Sequence, residues 1–218
     1  AASFMLYIIL ESYPRMLLNV GIDIVDHRSR ALLLLADPLN YPPSPYPLFH
    51  SYIAAMYAFA DFSSEPALWV TLSVLNALVV FFSFHILARS TLANLPEIYS
   101  SLATLTYVTF SGLGWLAFLR FSQLQPDAPV SATIATSGVA SWNDTTTGGL
   151  SMWLWFWLRP MSISFSTLYA LLYLIFREDL SFGKYFASMF MLLFVLNFVH
   201  IPEFILFNIL ILVLSISR

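Results

Sequence analysis

The sequence predicts an all-α fold, a polytopic transmembrane helix bundle of about six or seven spans, and three observations carry that reading. The chain has 218 residues, of which 59% are hydrophobic, 17% aromatic and only 10% charged, with a mean hydropathy of +0.79. Soluble domains carry roughly 25% charged residues, so this chain lacks the polar surface to cover a water-exposed body of its size. Its apolar residues also fall in runs close to the ~20 that a spanning helix needs, separated by polar interruptions. Finally, these runs are continuous rather than alternating. Hydrocarbon offers no partner to free backbone N–H and C=O groups, so such runs must be helical, unlike the strands of an outer-membrane barrel.

In chain order the runs cover residues 1–10, 48–60, 67–88, 98–119, 150–158 with 160–176, 184–199 and 202–217. The first amounts to about half a span, without an initiator Met or a preceding charged region. The chain is therefore read as one transmembrane domain, 1–218, of a larger protein. Nine basic and twelve acidic residues give a formal charge of -3, and Lys184 is the single lysine. No basic tract exists for a nucleic acid or a polybasic lipid contact. The lack of cysteine excludes disulfides, thiolate metal sites and thiol catalysis.

Two polar stretches interrupt the runs. Residues 11–47 hold seven of the charged residues and end in YPPSPYPLFH, with five prolines between Pro38 and Pro47. Clustered prolines remove backbone donors and hold φ near −65°, which gives a stiff extended segment leading into the run at 48–60. Within this loop, residues 24–35 predict a short helix at the membrane surface, with Leu32, Leu33, Leu34 and Leu35 at one end and Asp26, Arg28 and Arg30 at the other. Residues 121–149 form a second polar loop, rich in Ser, Thr, Gly and Pro, with Asp127 and Asp144. Arg177 and Lys184 bracket a short connection that the positive-inside rule places in the cytoplasm. Counting back from it leaves the two polar loops on opposite sides. The parity is restored by two short passages separated near SGLG (111–114), or by a re-entrant pair broken at Arg159-Pro160.

Three constellations carry chemistry. In GIDIVDHRSRALLLL, helical spacing puts Asp23 and His27 on one face and makes Asp26 and Arg30 a second i,i+4 pair. Exposed pairs of this kind contribute only about 0.3–0.5 kcal/mol each and alone describe a solvated helix. In SWNDTTTGGLSMWLWFWLRP, Asp144 lies in a polar loop ahead of Trp153, Trp155 and Trp157, an aromatic belt at a membrane edge, and Arg159 precedes Pro160. In NFVHIPEFILF, His200 and Glu203 flank Pro202 between two apolar runs; they either mark a turn at the water boundary or form a polar pair at membrane depth. His85, inside the 67–88 run, is read as a hydrogen-bonded packing residue.

The ordered set Gly21, Asp23 and His27 (G-x-D-x-x-x-H), then Tyr41, Pro42 and Pro43, then Pro47, Leu48 and His50 (P-L-x-H) resembles the first extracytoplasmic loop of the GT-C polytopic membrane glycosyltransferases. The resemblance covers roughly the first 60 residues and, beyond them, architecture alone. It implies an integral membrane enzyme that moves a sugar from a polyprenyl-phosphate-type carrier to an acceptor at the outer face of the plasma membrane or endoplasmic reticulum. The family's loop carboxylate falls on Asp23, as general base or as ligand of a divalent cation (Mg²⁺ or Mn²⁺). Asp26 and Asp144 are the further catalytic carboxylates, and Asp144 with Asp23 the possible metal ligands. Arg28, Arg30 and Arg159 offer guanidinium groups suited to a lipid phosphate, and His27 and His50 complete the expected substrate-binding set. Membrane lipids, the lipid-linked donor and further membrane subunits are the implied partners. A transporter or a non-catalytic structural subunit of a membrane complex is the rival. A transporter would place its ionisable residues within broken helices near the midplane, whereas here the carboxylates cluster in loops.

Overall fold

A computed structural model describes residues 21–59, 65–110, 114–129, 133, 160–177 and 179–216. Among the described residues the structure is helical, with no strand. The helices are α1 (Gly21–Ala36), α2 (Pro47–Phe59), α3 (Glu65–Thr91), α4 (Glu97–Phe110), α5 (Gly114–Leu124), α6 (Pro160–Ile175), α7 (Phe182–Val199) and α8 (Ile201–Ile216). Two of them are long and apolar enough to cross a membrane by length and composition, Ala67–Thr91 of α3 and Phe182–Val199 of α7. The apolar parts of α6 and α8, Ile163–Ile175 and Ile201–Val213, are shorter.

α1 buries His27 and Ala31 and half-buries Leu34, an i, i+4, i+7 stripe that packs on α2. Its exposed surface carries Asp26 and Arg28 toward one end and Leu32, Leu33 and Leu35 toward the other. The helix ends where Pro38 follows Asp37. The Asp37 N–H still donates to the Leu33 carbonyl at 2.8 Å, and the Asp37 carboxylate accepts from the Asn40 side-chain amide at 2.7 Å, closing the 3₁₀ turn Pro38–Asn40. Pro42, Pro43 and Pro45 then carry the chain without helical bonds to Pro47, which opens α2 at the position where a helix needs no proline N–H.

α2 buries Phe49, His50, Ile53 and Ala54. Phe49, Ile53 and Ala54 pack with Ala31 of α1 and with Leu68, Trp69 and Leu72 of α3. The Trp69 indole donates to the Tyr57 hydroxyl at 3.0 Å, so α2 and the start of α3 are also tied by a polar bond. At 13 residues, α2 is about 20 Å long, short of the ~30 Å hydrocarbon layer.

A second core lies farther along α3. Ala77 and Val80 meet Phe165, Leu168, Tyr169 and Leu171 of α6, Leu196 of α7 and Phe207 of α8. α3 and α6 form the most extensive helix contact. Small polar residues line these two helices: Ser73 and Asn76 on α3, Ser164 and Thr167 on α6, all buried. Such small side chains let backbones approach closely, and Thr167 satisfies its hydroxyl within its own helix by donating to the Ile163 carbonyl at 3.0 Å. α4 packs back on α3 through the His85 Nδ1 to Thr104 Oγ1 bond of 3.0 Å and the stacked Phe84 and Tyr107 rings, 4.0 Å apart. Tyr169 of α6 donates its hydroxyl to that of Tyr107 at 2.7 Å. His85 is thus a packing residue between helices.

Of the run expected over 98–119, Glu97–Phe110 (α4) and Gly114–Leu124 (α5) are helical, and residues 111–113 lie outside the described residues. The polar loop expected from residue 121 begins later, since α5 runs on to Leu124. The aromatic belt at Trp153, Trp155 and Trp157 lies outside the described residues.

Candidate functional site

At the α1–α2 end of the molecule, residues from four segments converge. α1 supplies His27, the proline loop supplies Tyr41, Ser44 and Tyr46, the first turn of α2 supplies His50, and the α7–α8 junction supplies His200 and Glu203. Each position has a local cause. His27 shares the buried stripe of α1 with Ala31, so the packing of α1 on α2 carries its ring inward. The rigid proline run fixes the path of Tyr41, Ser44 and Tyr46 across the start of α2. Tyr46 itself is held by its N–H donating to Ser44 Oγ at 3.1 Å, while its carbonyl accepts from the His50 N–H at 3.1 Å.

His50 is the hub. It is completely buried, and His27 is 3% exposed. His27 Nδ1 lies 2.8 Å from His50 Nε2, so one of these nitrogens donates to the other. The opposite nitrogen of His50, Nδ1, meets the Tyr41 hydroxyl at 2.5 Å and the Ser44 hydroxyl at 3.0 Å. Both ring nitrogens of a buried imidazole are therefore satisfied. Burial, followed by the proximity of His27 and Arg30, pushes the His50 pKa down from its ordinary 6.5 to about 4, with Asp26 opposing. His50 is neutral near pH 7. The His27 ring packs edge-on against Phe49 and Tyr46, with centroids at 5.0 and 5.5 Å.

Tyr46 joins this pair to a second one. Its ring stacks on His200, centroids 5.4 Å apart at an interplanar angle of 22°. His200 caps α7, donating its N–H to the Leu196 carbonyl at 3.0 Å, and Pro202 lies in the first turn of α8. The break brings His200 Nδ1 onto the carboxylate of Glu203, which is 6% exposed. A buried carboxylate next to an imidazole is a charge-assisted contact when both are ionised and a strong hydrogen bond otherwise.

The other expected residues distribute as follows. Asp23 lies in the first turn of α1, and its side chain falls outside the described residues. Asp26 is exposed and accepts from Arg30 Nε at 2.8 Å, the i,i+4 pair expected from the spacing. Arg28 lies on the exposed surface of α1. Asp144 and Arg159 lie outside the described residues. Thus His27 and His50 are brought into direct contact, while Asp26 and Arg30 pair with each other beside them.

Among the described residues no three His, Asp or Glu side chains are arranged to hold a metal ion. The 2.8 Å separation of the two imidazole nitrogens leaves no space for an ion between them. The side chains of Asp23 and Asp144, the expected ligands of a divalent cation, lie outside the described residues.

Sequence reasoning missed Ser44 and Tyr46 as members of the site, and it treated His200 and Glu203 as a constellation of their own. The density of hydroxyl side chains among the prolines of YPPSPY was the available signal for the first two. No local signal connects residue 46 with residue 200. No family model, no curated protein and no solved structure matches this chain.

Proposed function

We propose that this chain is the membrane-embedded part of a GT-C type glycosyltransferase, a bundle of about six or seven spans that transfers a sugar from a polyprenyl-phosphate-type lipid to an acceptor at the outer membrane face. One observation carries the reading. The separate pieces of the resemblance, His27 from the G-x-D-x-x-x-H element, Tyr41 from the YPP element and His50 from the P-L-x-H element, meet in one hydrogen-bonded cluster. Sequence pieces that match by chance have no reason to share a site. The apolar windows of α3 and α7 and the exposed leucines of α1 support placement of that cluster at a membrane surface.

Sugar transfer needs a base to take the proton of the acceptor hydroxyl or amide as its oxygen or nitrogen attacks the anomeric carbon. The bond from that carbon to the phosphate oxygen breaks, and the carrier leaves with the electron pair. Asp23 is the proposed base, Arg28 the proposed phosphate partner, and the buried imidazole pair the rigid support of the α1–α2 wall. Arg30 contributes by exchanging Asp26 for phosphate, and Asp144 and Arg159 are proposed to complete the site from the second loop.

Incubating the full-length protein in nanodiscs with labelled polyprenyl-phosphate sugars tests the reading. Label transfer that is abolished by Asp23→Asn, with membrane insertion intact, is the expected result. Full activity in Asp23→Asn removes Asp23 from the mechanism, and activity that persists in a chelator removes a divalent cation.

A further inference from the structure

Away from both cores, α6 and α7 frame a groove. The two helices, joined by residues 176–181, pack along each other. Between them lies a space of about 470 Å³, lined by Ala170, Tyr173 and Leu174 of α6 and by Ala187, Ser188 and Met191 of α7. Ala170, Ala187 and Ser188 are small, so two helices in contact still leave a trough between them. The flank of the trough is apolar and uncovered: Phe186 and Phe190 are exposed, on a helix long and apolar enough to cross a membrane.

The loop end of the groove is polar. Helical spacing sets Lys184, Ala187, Ser188 and Met191 on one face (i, i+3, i+4, i+7), so the chain's single lysine stands at the mouth of the groove. Lys184 is exposed and has no carboxylate partner among the described residues. Arg177, just past the end of α6, is engaged instead: it bonds both oxygens of Asp179 and the Tyr173 hydroxyl, which neutralises Asp179 and braces the Tyr173 wall. Glu178 lies outside the described residues. A side chain built at Gly183 would meet nothing within 4 Å, so the space beside Lys184 is open. One turn deeper, about 6 Å along the helix axis, comes Ser188, whose hydroxyl makes no hydrogen bond among the described residues.

We propose that this groove holds one anionic glycerophospholipid, with its phosphate at Lys184, an ester carbonyl at Ser188 and an acyl chain along the trough. The order of groups in the groove is the order in the lipid: cation at the mouth, a hydroxyl donor beneath it, then hydrocarbon. A zwitterionic lipid carries its own cation beside the phosphate and gains less from Lys184. The positive-inside rule puts the connection between Arg177 and Lys184 in the cytoplasm, where the leaflet is rich in anionic lipid. α7 is about 27 Å long, so the lipid lies at the opposite end of it from His200 and the polar cluster. The inference therefore goes beyond sugar transfer and needs only that α7 spans the bilayer. Seated there, the lipid bridges α6 and α7 and fixes the depth of their hairpin.

Native mass spectrometry of the full-length protein, released from nanodiscs of mixed phosphatidylglycerol and phosphatidylcholine, tests the site. Wild type should retain one phosphatidylglycerol, favoured about fivefold over phosphatidylcholine, the preference that one basic residue confers at an anionic surface. Lys184→Gln should lose that preference and Lys184→Arg should keep it. Ala187→Leu, at an exposed position, fills the trough while leaving Lys184 in place, and should lose the retained lipid. A lipid drawn only by the charge of the surface would survive Ala187→Leu, and that result overturns the groove. Equal retention of the two lipids by wild type, or an undiminished preference in Lys184→Gln, overturns it as well. Phosphatidylglycerol with a photoactivatable acyl chain should label the stretch 187–192 in the wild type, and labelling that avoids this stretch contradicts the site. None of these outcomes depends on whether the protein transfers a sugar.

Discussion

The two ends of the helical assembly differ in the balance of apolar and polar contacts that join their elements. Around Ala77, Leu171 and Leu196, helices α3, α6, α7 and α8 pack mainly through apolar side chains, with Thr167 bonding within its own helix and the Tyr169–Tyr107 pair bonding across to α4. Around His50, helices α1 and α2 and the α7–α8 junction meet through imidazole, phenol, hydroxyl and carboxylate groups that bond across elements. Both have fully buried side chains at their centres, Leu171 and Leu196 in one and Phe49 and His50 in the other. An apolar core tolerates rearrangement of shape, but a buried polar cluster requires that every donor find its acceptor, so it specifies geometry much more sharply. A chain so poor in charge that still buries two histidines and a glutamate at one end has concentrated its chemistry there.

That contrast can be broken from either side. The largest effect is expected at the apolar floor of the polar end. Phe49→Ala removes a fully buried ring packed against His27 and should cost about 3–5 kcal/mol in the unfolding of α1 and α2, measured by hydrogen exchange of their backbone amides. The reference on the other side is Phe186→Ala on α7, where the side chain is 61% exposed: its cost should be near zero. Equal costs for the two would show that the polar end is not closed.

Next in size is loss of the hub. His50→Ala takes their shared partner from buried His27 and from half-buried Tyr41 and Ser44, and should cost about 1–3 kcal/mol, the scale of one buried polar group losing its partner. Glu203→Leu should cost about as much as one such group, by stripping His200 Nδ1 of its acceptor.

A pH titration sharpens the comparison further. The pKa of His50 is lowered in the folded state, so its neutral form stabilises the fold fully above pH ~6.5, and that contribution is lost as pH falls toward about 4. Protection of α1 and α2 amides should therefore decline over this interval in wild type and not in His50→Gln. The α3–α6 amides should not respond. The smallest effect belongs to the exposed pair: Asp26→Ala should cost only about 0.3–0.5 kcal/mol and should be masked by salt.

The helical class was legible because composition and run length depend on local chemistry alone. The α1 helix and its Asp26–Arg30 pair were legible for the same reason, since i,i+4 spacing fixes which side chains meet on a helix. The contact between Tyr46 and His200 had no trace in the sequence. It arises from the docking of α2 on α7 and from the bend at Pro202, both tertiary events. The partners of His50, namely His27, Tyr41 and Ser44, likewise follow from how α1, the proline loop and α2 pack.

The most direct measurement of the central claim, that the polar end is the reacting end of a sugar transferase, is transfer of labelled sugar from a polyprenyl-phosphate carrier by the full-length protein. It should be compared between wild type, His50→Ala and Phe186→Ala in nanodiscs. Wild type and Phe186→Ala should transfer the sugar, and His50→Ala should not. Absence of transfer from every lipid-linked sugar, or undiminished transfer by a correctly inserted His50→Ala, would contradict it.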